Sequence, residues 1–282
     1  MEFISPAVIK RIAAKYGFVF KKGLGQNFLS SQEALEKIAD AAEISGEGVI
    51  EIGPGFGVLT NELAKRAKKV LALEIDERLI PVLADTLRDY DNVKVINEDI
   101  LKADIKKLID DEFEGERISV AANLPYYITT PIITTLLEGN LPLKNLVVMV
   151  QKEVAERITA TPGTKNYGAI SVLCQYYTIA ELVCIVPANL FVPPPKVDSA
   201  VVKMTFRDKP SVSVKNEAMF FRTVKAAFSQ RRKTLINCLA ANFPKSKAEL
   251  SEIMTGLAID TTRRGETLSL DEFAILSDAL SE

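Results

Sequence analysis

The sequence predicts an α/β protein, with a doubly wound, mostly parallel sheet followed by a small helical domain. Three observations carry this. Short β-rich apolar runs alternate with helix-spaced segments from residue 48 onward. The runs are nearly continuous in apolar character, as expected of strands covered by helices on both faces. After Phe206 the pattern changes to long helical periodicity with basic residues embedded in it.

In chain order the candidate strands are GVIEIG (48–53), KVLALEI (69–75), VKVINED (93–99), RISVAANL (117–124), NLVVMVQ (145–151), ELVCIVP (181–187) and SAVVKMTF (199–206). Between the first four, apolar residues fall at helical spacing, as in Leu59, Leu63, Ala64 and Ala67, then Leu79, Ile80, Leu83 and Leu87. The segment FVPPPKVD between the last two strands is too short for a crossover helix, so these strands are expected to pair antiparallel at one edge. RDKPSVSVKN reads as a linker, and EAMFFRTVKAAFSQRRKTLINCLAANF after it as helices. The expected organisation is a sheet domain over 1–207 with a basic N-terminal segment, and a helical domain over 208–282.

Composition excludes several classes. At 282 residues and 48% hydrophobic content the chain can bury a sizeable core. No apolar run approaches the roughly 20 residues that span a bilayer. The N-terminus MEFISPAVIKRIAAKYGF mixes charge through its apolar positions, unlike a signal peptide, so a cytoplasmic location with no membrane partner is expected. Cys174, Cys184 and Cys238 are odd in number and read as core thiols in a reducing compartment. There is no histidine, which removes Ser-His-Asp and Cys-His catalysis and the usual zinc sites, and no metal is expected.

The net charge of −2 hides a segregation: residues 26–150 carry 13 Lys/Arg against 22 Asp/Glu, whereas residues 203–233 carry nine basic residues against Asp208 and Glu217. Residues 1–25 add five more basic side chains against Glu2. Two basic segments on an acidic body are the footprint of a polyanion binder, although solvated helix faces give the same pattern.

The segment VIEIGPGFGVLT places Gly53-Pro54-Gly55-Phe56-Gly57 between a strand and a helix. Glycines there permit a sharp turn and let a ligand lie against the backbone at the helix N-terminus. The next strand ends in Glu74, where a carboxylate can accept both hydroxyls of a ribose, and an adenosine-bearing cofactor follows. Spacing alone fits both NAD and S-adenosylmethionine, but Val and Leu stand where a dinucleotide fingerprint wants its third glycine. Asp99 ends the third strand, placed to meet an adenine amine, and is also an ordinary helix-capping residue. The fourth strand ends in Asn123-Leu124-Pro125-Tyr126-Tyr127, an amide, a proline and two phenol rings at a strand mouth.

Together with GLGQNFL (23–29), EIGPGFGVLT, LEID, EDILKAD, NLPYYITTPII, FVPPPKVDSAV and FSQRRKTLINCL, these residues resemble the ribosomal RNA adenine dimethyltransferases, most closely their small-subunit branch. The resemblance implies a Rossmann-like S-adenosylmethionine-dependent methyltransferase sheet with a small C-terminal helical domain that binds RNA. It implies S-adenosyl-L-methionine as cofactor and 16S rRNA, in the small ribosomal subunit or its precursor, as partner of a monomeric enzyme. By position, Asn27 and Leu29 would cover the cofactor's methionine side, Gly53, Gly55 and Gly57 would form the loop beneath it, Glu74 would hold the ribose and Asp99 the adenine. Asn123 would sit where cofactor and target base meet. The large-subunit enzymes of the macrolide-resistance type share the cofactor motifs; an NAD-dependent oxidoreductase and a non-catalytic ribosome-assembly factor are the other readings.

The chemistry expected at the Asn-Pro-Tyr terminus needs no imidazole. An adenine N6 lone pair is delocalised into its ring. Two acceptors aimed at the amine hydrogens, the Asn123 carbonyl and a main-chain carbonyl near Pro125, favour a pyramidal nitrogen with a directed lone pair. Tyr126 would stack on the target base with Phe191 as the second face, and Tyr127 is expected to be packing. Arg222, Arg231, Arg232 and Lys233 are the expected phosphate contacts, with pairing to the acidic body as the alternative.

Overall fold

A computed structural model describes residues 5–18 and 27–281. Residues 23–26 of the GLGQNFL motif, and Lys21 and Lys22 of the basic N-terminal segment, lie outside the described residues. In chain order the elements are α1 (Pro6–Lys15), β1 (Phe28–Leu29), α2 (Gln32–Ala41), β2 (Gly48–Ile52), α3 (Val58–Ala64), β3 (Lys69–Glu74), α4 (Ile80–Thr86), β4 (Val93–Asn97), α5 (Ile105–Phe113) and β5 (Ile118–Asn123). There follow α6 (Thr129–Glu138), β6 (Leu143–Gln151), α7 (Lys152–Ile158), α8 (Ala169–Tyr177), β7 (Thr178–Val186), β8 (Phe191–Val192), β9 (Ser199–Phe206), α9 (Glu217–Ala227), α10 (Leu235–Ala240), α11 (Lys247–Gly256) and α12 (Leu270–Leu280).

All seven expected strands form one sheet, in the order β4-β3-β2-β5-β6-β9-β7. The first five pair in parallel, and β2 and β5 are buried nearly throughout, which is why their sequences carry no polar alternation. Strand β7 takes the edge beside β9, while β9 itself lies inside the sheet and runs antiparallel to β6. The order of the parallel strands reverses between β2 and β5. At such a switch point the two connections leave in opposite directions and open a crevice beyond the strands' carboxyl ends. Both the glycine loop and the Asn-Pro-Tyr turn emerge there.

A second, two-stranded sheet was not foreseen: β1 pairs antiparallel with β8, matching Phe28 with Val192 and Leu29 with Phe191. It is anchored through aromatic packing. The Phe28 ring stacks on Phe56 of the glycine loop at 4.2 Å between centroids, and Phe18 meets Phe56 edge-on at 5.3 Å.

The chain folds as two compact units. One runs to Ala155 and resumes over Ala180–Phe206; the other takes Glu156–Ile179 as well as Arg207 onward. The single division expected after residue 207 therefore meets a second one, and aromatic contacts explain it. Tyr176 stacks on Phe220 and Tyr177 on Phe221, so α8 joins the core that also holds Leu235, Leu250, Met254 and Phe273. The expected linker is tied down along its length, with Arg207 N donating to Tyr177 O, Ser211 N to Tyr176 O and Lys215 N to Asp278 Oδ1. Of the cysteines, Cys174 and Cys238 are buried thiols, whereas Cys184 on β7 is only half-buried. No helix among the described residues is long and apolar enough to cross a membrane.

Candidate active site

The cleft at the switch point is lined by Asn27, Phe28 and Leu29 from β1, Glu51 from β2, Gly53, Pro54 and Gly55 from the glycine loop, Glu74 and Ile75 from the end of β3, and the whole turn from Asn123 to Ile128. Backbone conformation explains two of the glycines. Gly53 has φ +67° and a Cβ there would meet nothing within 4 Å, so its Cα faces the open cleft. Gly55 has φ +62° and its Cβ would stand 2.7 Å from the Phe28 ring, so only glycine lets the loop close onto β1. Gly57 caps α3 outside the cleft lining.

Glu74 is buried, with its carboxylate accepting from Gly55 N at 3.1 Å and from Asp76 N at 2.8 Å. Burial pushes its pKa above the ordinary carboxyl value, and those N–H groups oppose the rise. It thus joins the strand end to the glycine loop while each oxygen keeps a further lone pair. Ile75 beside it is 54% exposed, an apolar surface at the cleft that the sequence reading did not single out. Asp99 lies outside the lining; its Oδ1 accepts from Leu101 N, and Glu98 N before it donates to Glu74 O.

Glu51 was also missed. It is 1% exposed, lines the cleft, and its Oε2 has no hydrogen-bond partner among the described residues. Burial lifts its pKa to about 8; the nearby Thr60 hydroxyl and main chain lower it by less. Burial therefore favours the uncharged acid at neutral pH. An acid in the middle of the apolar run VIEIG was the available signal.

The Asn-Pro-Tyr turn is fixed at several points. Asn123 Nδ2 donates to Asn27 O at 3.1 Å, which settles the amide's orientation and leaves Oδ1 as the acceptor. The Pro125 carbonyl already accepts from Ile128 N and from Thr129 Oγ1, so it closes the turn into α6. The preceding residue, Leu124, lines the cleft with its N–H held by Met149 O. Tyr126 is half-buried with its hydroxyl 2.7 Å from Ser199 Oγ, and burial raises its phenol above the ordinary value, keeping it protonated.

Two aromatic expectations change. Tyr127, expected as packing, is 56% exposed and lines the cleft. Phe191 is 3% exposed and lies outside the lining, because its backbone pairs with Leu29 and its ring packs into the core. The Phe191 ring is therefore not exposed at the cleft in this structure.

In the other unit, the basic cluster divides. Arg222 donates to Asn242 O and lies over the Phe243 ring at 4.6 Å, and Arg231 donates to Lys165 O. Arg232 and Lys233 are exposed and pair with no carboxylate among the described residues.

The sequence model of the ribosomal RNA adenine dimethylase family matches residues 17–276. A curated relative from Geobacillus sp. (strain WCH70), "Ribosomal RNA small subunit methyltransferase A", is 54% identical over 99% of this chain and 98% of its own. A relative of the same name from Bacillus mycoides (strain KBAB4) is 55% identical over 99% and 97%. Among solved structures, a dimethyladenosine transferase from Plasmodium falciparum is similar with TM-score 0.74 and 28% identity, covering 88% of this chain and 95% of its own. The 23S rRNA methyltransferase ErmE is similar with TM-score 0.69 and 26% identity, covering 91% and 100%.

Proposed function

The chain belongs to the ribosomal RNA adenine dimethylase family, and within it we propose the small-subunit activity: transfer of methyl groups from S-adenosyl-L-methionine to the N6 amines of two adjacent adenosines in the 3′-terminal hairpin loop of 16S rRNA. Full-length relatives at 54–55% identity carry the small-subunit name, whereas the large-subunit neighbour stands at 26%. The family match also sets aside the oxidoreductase reading of the glycine loop. Its partner would be that RNA in the small subunit or its precursor, met by a monomer in the cytoplasm.

The orientation of the Asn123 amide carries the proposal. Its nitrogen is committed to Asn27 O, so the carbonyl is presented as an acceptor at the cleft. With the Leu124 carbonyl it can hold both hydrogens of an exocyclic amine, which localises the nitrogen lone pair without an ionised base. The residues around the cleft fit the donor: Glu74 would accept the ribose hydroxyls, Ile75 would cover the adenine face, and Asn27, Leu29 and Gly53 would enclose the methionine side, while Asp99, outside the lining, would reach the adenine amine only from beyond it. When bound, S-adenosyl-L-methionine supplies an electrophilic sulfonium methyl. Tyr126 offers a ring for the target base to lie against, and Arg232 and Lys233 offer phosphate contacts.

The test is incubation with labelled S-adenosyl-L-methionine and, in parallel, under-methylated small subunits and large subunits, followed by mapping of modified nucleosides. Dimethyladenosine in 16S rRNA is expected; label in large-subunit RNA refutes the assignment. Asn123→Ala should lower methyl transfer by about 100-fold or more while RNA binding is kept, on the scale of losing one aimed polar group.

A further inference from the structure

We infer that Ser199 is a positioning residue for methyl transfer: through its hydroxyl it holds the Tyr126 ring in the attitude that receives the target adenine, an inference that rests on the function proposed above. The two residues come from separate motifs, NLPYY and FVPPPKVDSAV, and meet at the carboxyl edge of the sheet, where Ser199 Oγ lies 2.7 Å from Tyr126 Oη. Ser199 is fully buried and cannot wander. It opens β9, stands in register with Gln151 of β6, and follows Asp198, whose Oδ1 accepts from Ala188 N and whose carbonyl accepts from Lys152 N.

The backbone end of Tyr126 is held as firmly. Pro125 O is clamped by Ile128 N and Thr129 Oγ1 on one side, and Asn123 is bound to Asn27 on the other. What remains free is the side chain. A phenolic O–H lies in the plane of its ring, so a hydrogen bond at the hydroxyl sets both where the ring stands and how its face is turned. Burial keeps that phenol protonated, so the bond has a proton to share. The Pro-rich segment thereby acquires a role in the site that does not depend on the buried Phe191 ring. It carries the anchor for the stacking surface instead of a second surface.

A ring held only at its backbone end would still be present but would spend less time in the productive attitude. The loss should fall on turnover and leave donor binding untouched. The experiment measures methyl transfer to under-methylated small subunits by the full-length Ser199→Ala, Ser199→Thr, Tyr126→Phe, Tyr126→Ala and Ser199→Ala/Tyr126→Phe variants. Losing one neutral hydrogen bond predicts a fall in kcat of about 3- to 10-fold for Ser199→Ala and the same for Tyr126→Phe. The double variant should lose no more than either single, KM for S-adenosyl-L-methionine should stay constant, and Ser199→Thr should recover most of the rate. Multiplying losses in the double variant, or no recovery with threonine, would overturn the inference. So would wild-type kcat in Ser199→Ala alongside a large loss in Tyr126→Ala, which would leave the stacking role standing alone. Full activity in Tyr126→Ala would instead remove the stacking role itself.

Discussion

Replacing Gly55 by alanine separates what the glycine loop does for the fold from what it does for the ligand. The backbone there has φ +62°, a conformation that costs an L-residue about 1–2 kcal/mol. The new Cβ would sit 2.7 Å from Phe28 Cε1 and 3.1 Å from Cδ1, so the ring must leave its place. That ring is stacked at 4.2 Å on Phe56, and overpacking of this kind costs about 1–3 kcal/mol more. Gly55→Ala should therefore destabilise by about 2–5 kcal/mol in urea unfolding followed by circular dichroism. Gly53→Ala is the control. Its φ of +67° brings the same strain, but nothing lies within 4 Å of its Cβ, so a loss of about 1–2 kcal/mol is expected. Its methyl enters the cleft, and calorimetric affinity for S-adenosyl-L-methionine should fall further than stability does. Equal stability losses at the two positions would refute the reasoning, because the Phe28 ring would then yield without cost. Adding Phe28→Leu to Gly55→Ala should recover part of the loss.

Glu51→Gln tests the uncharged carboxyl in the cleft. Its folded pKa of about 8 lies above the ordinary 4.5, so the stability it contributes is complete below that lower value and is lost as pH rises through the higher one. Wild-type stability should fall relative to Glu51→Gln by an amount on the order of a few kcal/mol between pH 5 and 9, and parallel curves would show that the group ionises freely. Arg232→Ala and Lys233→Ala should each reduce the salt dependence of RNA binding by about one unit of slope, measured by filter binding across an ionic-strength series. Arg222→Ala should act differently and lower the melting temperature, since its guanidinium is spent on Asn242 O and the Phe243 ring; an unchanged melting temperature would refute that.

Strands β2, β3 and β5 were legible because a buried parallel strand is a continuous apolar run, and nothing distant is needed to recognise one. The β1–β8 pair was illegible for the opposite reason: each strand is two residues long and exists only because the other meets it across the fold. The same limit applied to rings. NLPYY marks a site, but its letters do not say which tyrosine is anchored and which is left open, and the Ser199 hydroxyl that decides it lies on another strand. FVPPP suggested an aromatic face, and the ladder with Leu29 buried it. The helix over 169–177 was not read from the sequence at all, and the core it joins is set at a distance, by Phe220 and Phe221 through Tyr176 and Tyr177.

Among the residues lining the cleft, the ionisable side chains are Glu51, Glu74, Tyr126 and Tyr127, and burial shifts the first three toward their uncharged forms. Among the described residues that line it, none is a lysine, arginine or histidine. On the function proposed above, an amine approached by neutral carbonyls would keep its protons and turn its lone pair, and rate would come from holding two acceptors and one ring in fixed relation. The structure devotes a separate contact to each: Asn27 O to the amide, Ile128 N and Thr129 to the turn, and Ser199 to the phenol. Each contact draws on an element distant in sequence from the turn or on the first residues of the helix that follows it. The sheet's switch point is where such elements converge, and a protein without histidine can place its chemistry there because position does the work that a base would otherwise do.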